Sequence, residues 1–214
     1  MSEQTKLKIE KIKPADIEER SFEIIEEILA EKEIFLPEEQ APITMRCIHT
    51  SADFDYAENL SYSEDVIEII KDALRNGASI VTDTQMAKAG INKRKLARFG
   101  GQVHCFMSDD DVAAEAKERG VTRAIVSMEK AARMEEDFIF AIGNAPTALI
   151  HLYEMIQEGK INPIAVIGVP VGFVNVVVSK ELIMETDVPY IVAKGNKGGS
   201  NIAACICNAL LYNA

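Results

Sequence analysis

Five short apolar runs, each leading through a turn into a helical stretch, constrain this chain more than any other feature. They are residues 78–82 (Ala-Ser-Ile-Val-Thr), 102–106 (Gln-Val-His-Cys-Phe), 138–142 (Phe-Ile-Phe-Ala-Ile), 163–167 (Pro-Ile-Ala-Val-Ile) and 190–193 (Tyr-Ile-Val-Ala). Runs this short, bounded by turn residues and rich in Val and Ile, read as strands with both faces covered. Strands joined by helices need long crossovers, which favours parallel pairing. The expected fold is therefore α/β: three layers, α/β/α, around a five-stranded, mainly parallel, Rossmann-like sheet. At 214 residues the economical reading is one domain, 1–214. In such sheets the ligand lies beyond the strand C-termini. That places Asp83-Thr84, Gly143-Asn144, Gly168 to Gly172 and Gly195 to Ser200 along one edge.

Pro14 opens a helix to about Lys32, with Ile17, Ile24 and Ile28 as its apolar stripe and Ser21 on that stripe. A second helix runs from about Pro37, with Ala41, Met45 and Ile48 facing a core. Pro42, Arg46 and His49 fall on a neighbouring face, the arginine one turn before the histidine. A fixed guanidinium there favours neutral imidazole, suited to giving or taking a proton near neutral pH. Tyr62-Ser63-Glu64-Asp65 should cap a helix ending at Asn76-Gly77, and residues 176–183 should be helical despite their three valines. Asn144 and Ser200 suit helix N-caps.

The balance of 23 basic and 34 acidic side chains, a net charge of −11, argues against a general nucleic-acid binder. It leaves room for an anionic small ligand held by local cations or helix N-termini. No G-x-G-x-x-G or G-x-x-x-x-G-K-[ST] occurs, so dinucleotide and P-loop readings lose their sharpest support. Cys47, Cys105, Cys205 and Cys207 lack metal-ligand spacing and read as free thiols of a reducing compartment. With no apolar leader at the N-terminus and no membrane-length apolar run, the expectation is a cytoplasmic protein. His104 and His151 read as core or interface residues, and Arg94, Lys95 and Arg98 as a solvated helix face.

Glu19-Arg20-Ser21-Phe22, Arg46-Cys47-Ile48-His49, Gly143-Asn144-Ala145-Pro146-Thr147-Ala148-Leu149, Gly168-Val169-Pro170-Val171-Gly172-Phe173-Val174 and Gly198-Gly199-Ser200 occur in this order. Together they resemble the precorrin-8X methylmutase family of cobalamin biosynthesis over nearly the whole chain. The resemblance implies an isomerase that moves a methyl group from carbon 11 to carbon 12 of a corrin precursor. The product would be hydrogenobyrinic acid, or cobyrinic acid when cobalt is in place. It implies His49 as catalytic proton donor or acceptor, Ser21 against the substrate, and Arg123 for a peripheral carboxylate. Arg46, Thr84, Asn144, Gly199 and Ser200 complete the expected substrate-binding set. It also implies a homodimer with sites close to the subunit interface and a tetrapyrrole polycarboxylate as substrate; a shift within one molecule calls for no metal or other cofactor, and charge and hydropathy lead to no nucleic-acid or membrane partner being expected. Two rivals stand beside it. One is a non-catalytic corrinoid carrier of the same fold; the other, a nucleotide-dependent oxidoreductase, rests on sheet architecture alone.

Overall fold

The apolar runs pair side by side as the sequence predicts, and a sixth strand joins them. The computed structural model describes residues 10, 12–134 and 136–214, which fall into two units, Met1–Phe35 and Leu36–Ala214. In the first unit the described residues form one helix, α1 (Ile17–Glu31). Arg20 on it bonds Glu10, Glu23 and Glu27. Of the expected stripe, Ile17 and Ile24 are exposed, whereas Ile25 and Leu29 are buried.

The second unit carries the sheet. Its elements run α2 (Ala41–Ser51), α3 (Tyr56–Asn59), β1 (Leu60–Tyr62), α4 (Val66–Arg75), β2 (Ser79–Thr82), α5 (Gln85–Gly90), α6 (Lys93–Leu96) and β3 (Val103–His104). They continue as α7 (Asp110–Arg119), α8 (Arg123–Ala132), β4 (Phe138–Ile142), α9 (Pro146–Gln157), β5 (Ala165–Gly168), α10 (Val176–Met184), β6 (Tyr190–Ala193) and α11 (Ser200–Tyr212).

The strand order is β1-β6-β5-β4-β2-β3. All pairings are parallel except β1 with β6, which is antiparallel and sets Leu60 opposite Ala193. The expected five-stranded sheet is thus six-stranded. The extra strand falls where a helix cap was expected at Tyr62, because β6 supplies a ladder that local sequence does not reveal. The run at 102–106 shrinks to the two residues of β3, an edge strand.

Side chains alternate across the sheet with period two. Phe138, Phe140 and Ile142 join Val81, Val166 and Val192 in one core with Leu149, Leu152, Met128 and Ile183 from α8, α9 and α10. On the other face α11 packs against α2, α4 and α5. Phe140, Ile139 and Ile80 expose 1 % or less of their surface. Burial on this scale contributes about 1.5–3 kcal/mol for each such side chain. In α2 the buried positions are Ile43, Thr44, Cys47 and Ile48, with Ala41 and Met45 only half-buried. The apolar stripe is therefore rotated from the expected Ala41-Met45-Ile48, since Ile43 and Cys47 satisfy the same one-turn spacing.

After β2 the chain adds β3 on one side, then returns to place β4 on the other. The strand order therefore reverses between β2 and β4, and the turns leaving these two strands diverge there. In open α/β sheets this reversal makes the crevice that receives ligands. Among the described residues no helix is long and apolar enough to cross a membrane.

Candidate active site

The crevice between β2 and β4 is closed from within by a carboxylate. Asp83, the first residue after β2, is 1 % exposed. Its two oxygens accept from the amides of Gly143 (2.8 Å), Asn144 (2.8 Å) and Ala145 (2.5 Å) at the start of α9. Burial pushes this carboxyl above its ordinary range, although the amides pull it down. The amides after β4, expected to serve a ligand's carboxylates, are thus taken by the protein itself. Nor does Asn144 cap α9: Ala145 holds that position and Asn144 is exposed on the open edge.

The turn entering α11 lies directly on this loop. A Cβ on Gly143 would come within 2.7 Å of Ser200 Cα and 2.9 Å of Gly199 O. Gly198, at φ +157°, rides so close to Val169 O that a Cβ would sit 2.1 Å from it, and Gly199 donates its amide to the same oxygen at 2.8 Å. Only glycine tolerates that approach at these angles. Gly199 is the N-cap of α11 and Ser200 its first residue, so the expected cap moves by one position. Thr84 caps α5 by accepting from Ala87 N, and its hydroxyl donates to Ser200 Oγ at 2.8 Å. Thr84, Asn144, Gly199 and Ser200 therefore stand together where the strand order reverses.

His49 occupies the last turn of α2, exposed to solvent, one residue before Thr50 and three before the left-handed C-cap Ala52 (φ 54°). Pro42, Arg46 and His49 share a face of that helix, as expected. Arg46 reaches across to α11, its guanidinium 5.5 Å from the centre of the Tyr212 ring. It lines a groove of about 390 Å³ with Thr50, Met86, Asn201, Cys205 and Asn208. This volume sits at the lower end for small-molecule sites. The groove runs along α11 from beside Ser200, so it continues the open edge.

The end of α2 is tied to the turn before α11. Lys197 Nζ lies 2.6 Å from Asp53 Oδ2 and 2.5 Å from Asp55 Oδ2. The ammonium holds the Asp53 carboxyl below its ordinary range. Arg123 is exposed as the first residue of α8, with a long bond from Nη1 to Met107 O (3.4 Å). The neighbouring Thr122 hydroxyl donates to Thr147 at the start of α9 (3.4 Å), which sets Arg123 on the same edge as Asn144. A cation at a helix N-terminus adds to the positive end of the helix dipole and suits an anion. Ser21 stands in α1, where its hydroxyl donates back to Ile17 O at 2.8 Å.

The other histidines lie in other surroundings. His104 stacks on Phe106 and meets Phe138 edge-on. His151 sits between Glu129 and Glu154, in an ion-pair network with Arg119 and Arg133. Sequence reasoning missed the roles of three groups beside the site. Asp83 is expected on the open edge, but not as the acceptor of the protein's own amides. Lys180, 1 % exposed, donates to the carbonyls of Gly195 and Lys197. Cys205 accepts from Thr50 Oγ1 at 3.2 Å in the groove. Lys180 did carry a signal: with Val176 and Ile183 it lies on the apolar stripe of α10.

The comparisons point one way. The family model described as precorrin-8X methylmutase matches residues 16–213. A cobalt-precorrin-8 methylmutase of Salmonella typhimurium is 45% identical over 204 residues, covering 94% of this chain and 95% of that one. Its counterpart from Priestia megaterium is 42% identical over 210 residues, covering 98% and 92%. A solved precorrin-8X methylmutase from Thermus thermophilus superposes with a TM-score of 0.83 at 36% identity, covering 92% of this chain and 95% of that one.

Proposed function

The chain belongs to the precorrin-8X methylmutase family, and from that premise we propose that His49 is its proton donor or acceptor at the macrocycle. The protein is an isomerase of corrin biosynthesis, an intramolecular transferase that moves a methyl group from C11 to C12 of precorrin-8. The Salmonella typhimurium and Priestia megaterium relatives are named for the cobalt-bearing form, and we take cobalt-precorrin-8 as this chain's substrate.

The methyl group travels within one molecule, so the protein's work is to grip a flat polycarboxylate, exclude water and move a proton. An imidazole on the exposed end of α2 can meet a ring laid over the open edge. Protonation of the macrocycle by His49 draws electrons toward the migration terminus. General acid catalysis of this kind is worth ~10²–10⁴ in rate, roughly 3–5 kcal/mol. Holding one ring conformer supplies the remainder. Arg46 in the groove and Arg123 at the head of α8 are the cations for acetate and propionate arms. Thr84, Asn144, Gly199 and Ser200 offer hydroxyl, amide and backbone contacts between them. A chain of net charge −11 needs such local cations to receive an anion.

A second copy completes the site in this reading. The loop leaving β5 exposes Phe173 (90 %) and Val174 (79 %), with Val171 and Val178 exposed beside them. An apolar cluster of this kind at the rim of the edge suits a homodimer interface that also shields the ring from water. The carrier reading is not favoured, because the matching relatives carry names of enzymes.

The exposed position of His49, on the helix end that Lys197 ties to the turn before α11, carries this reading. Its test is His49→Ala with cobalt-precorrin-8 at catalytic protein concentration, followed by absorbance. Turnover should fall by ~10²–10⁴ while substrate binding persists; turnover at the parent rate removes His49 from the chemistry.

A further inference from the structure

Among the described residues Lys180 is the one buried lysine, and it is held without a carboxylate. It lies on the inner face of α10, 1 % exposed, between Val176 and Ile183. Among the described residues no acidic side chain pairs with it. Its Nζ donates instead to Gly195 O at 2.7 Å and Lys197 O at 2.8 Å. Burial alone pushes the ammonium down to about 8, so it remains charged at neutral pH. An unpaired buried cation is unfavourable unless its donors are satisfied. Both acceptors belong to one turn, the link from β6 to α11.

That turn has little stiffness of its own. Gly195, Gly198 and Gly199 all have positive φ (72°, 157° and 136°), so its residues have wide conformational freedom before they are tethered. Lys197 is bound twice. Its carbonyl rests on Lys180, while its side chain reaches Asp53 and Asp55, just beyond the C-cap of the helix that carries His49. Two residues later the same turn supplies Gly199 and Ser200. Fixing the backbone at Gly195 and Lys197 therefore fixes the start of α11 and the anchor of α2 together.

We propose that Lys180 is a positioning residue: by holding the Gly195 and Lys197 carbonyls it sets where the His49 end of α2 stands relative to the Gly199–Ser200 turn. The role rests on the placement of the active site given above. Loosening this anchor displaces the proton-transfer geometry more than it weakens the grip on the substrate's arms. A displacement of about 1 Å at a reacting pair can cost ~10² in rate.

The test uses the full-length protein, cobalt-precorrin-8 and four variants: Lys180→Met, Lys180→Gln, Lys197→Met and the Lys180→Met/Lys197→Met double. Lys180→Met should lower kcat by about 10- to 100-fold with KM within about 3-fold. Lys180→Gln, which restores one donor, should recover about a third or more of the lost logarithm of rate. Lys197→Met should lower kcat too, and the double variant should be little worse than the poorer single, because both act through one turn. A folded Lys180→Met with kcat within about 2-fold of the parent overturns the proposal, as does a double variant whose loss is the product of the two singles. Should Lys180→Met fail to fold, Lys180→Gln and Lys197→Met decide, and full kcat in both overturns it. The active-site reading fails separately, through His49→Ala. A dead His49→Ala beside a fully active Lys180→Met sinks only the role given to Lys180.

Discussion

Replacing Asp83 by Asn should unfasten the turn at the head of α9. The carboxylate accepts three amide hydrogens, two on Oδ2 and one on Oδ1. An asparagine that keeps its oxygen at the Oδ2 place retains the bonds from Asn144 and Ala145, but turns its NH₂ toward the Gly143 N–H. One charge-assisted bond is then lost, worth about 1.5–3 kcal/mol, and a buried N–H is orphaned at about 1–3 kcal/mol. Removing a buried charge offsets part of this, since burial already raises the Asp83 carboxyl. The net loss should be roughly 3 kcal/mol, a large share of the ~5–15 kcal/mol that stabilises a typical domain. Urea unfolding followed by far-UV circular dichroism measures it, and Tm should fall by roughly 6–12 °C. Asp83→Ala adds a sharper arm. It exposes three amides at a helix N-terminus, so formate should restore stability that chloride at equal ionic strength does not. An Asp83→Asn protein within about 1 kcal/mol of the parent, or formate and chloride acting alike on Asp83→Ala, refutes the reasoning.

Three further outcomes are expected. Arg123→Ala should weaken binding of the polycarboxylate by about 10- to 100-fold with little change in kcat, and titration calorimetry showing unchanged affinity removes Arg123 from the site. Cys205 should alkylate first among the four thiols at pH 7.5: hydrogen bonds from Cys47 and Thr50 pull it down to about 7, while burial pushes Cys207 up to about 12. Peptide mapping after brief iodoacetamide treatment checks the order, and faster labelling of Cys105 or Cys207 contradicts it. Lys180 should leave a signature in stability against pH. Its folded value of about 8 lies below the ordinary 10.5, so between these limits the native protein binds fewer protons and this group makes stability rise with pH. The stability gap between the parent and Lys180→Met should therefore shift toward the parent by roughly 3 kcal/mol from pH 7.5 to 10.5, and a flat gap contradicts the burial of a charged amine.

Strands that carry their own apolar runs, such as Phe138 to Ile142 and Tyr190 to Ala193, were legible because burial on both faces leaves an unbroken hydrophobic stretch. Leu60 to Tyr62 was not, because its stability comes from a ladder to β6, more than 120 positions away in the chain. The site divides in the same way. His49 with Arg46 on one helical face, and the glycine turn before Ser200, follow from spacing and from the forms that turns take. Asp83 looked like any acid after a strand, and only the fold reveals that it serves the protein's own amides. The stripe of α2 was misread by rotation because two registers of apolar residues satisfy one helical period. Lys180 was visible as a lysine among valines, but not as the prop of a turn fifteen residues downstream.

The two margins of the sheet are a three-residue strand that runs against its neighbour and a two-residue strand. Neither offers enough open backbone for another polypeptide to zip onto, so among the described residues the sheet is a poor template for templated growth or strand exchange. The homodimer proposed above would then be held by side chains rather than strand pairing, and a single charge placed on the Phe173 rim is expected to weaken it without disturbing a ladder bond.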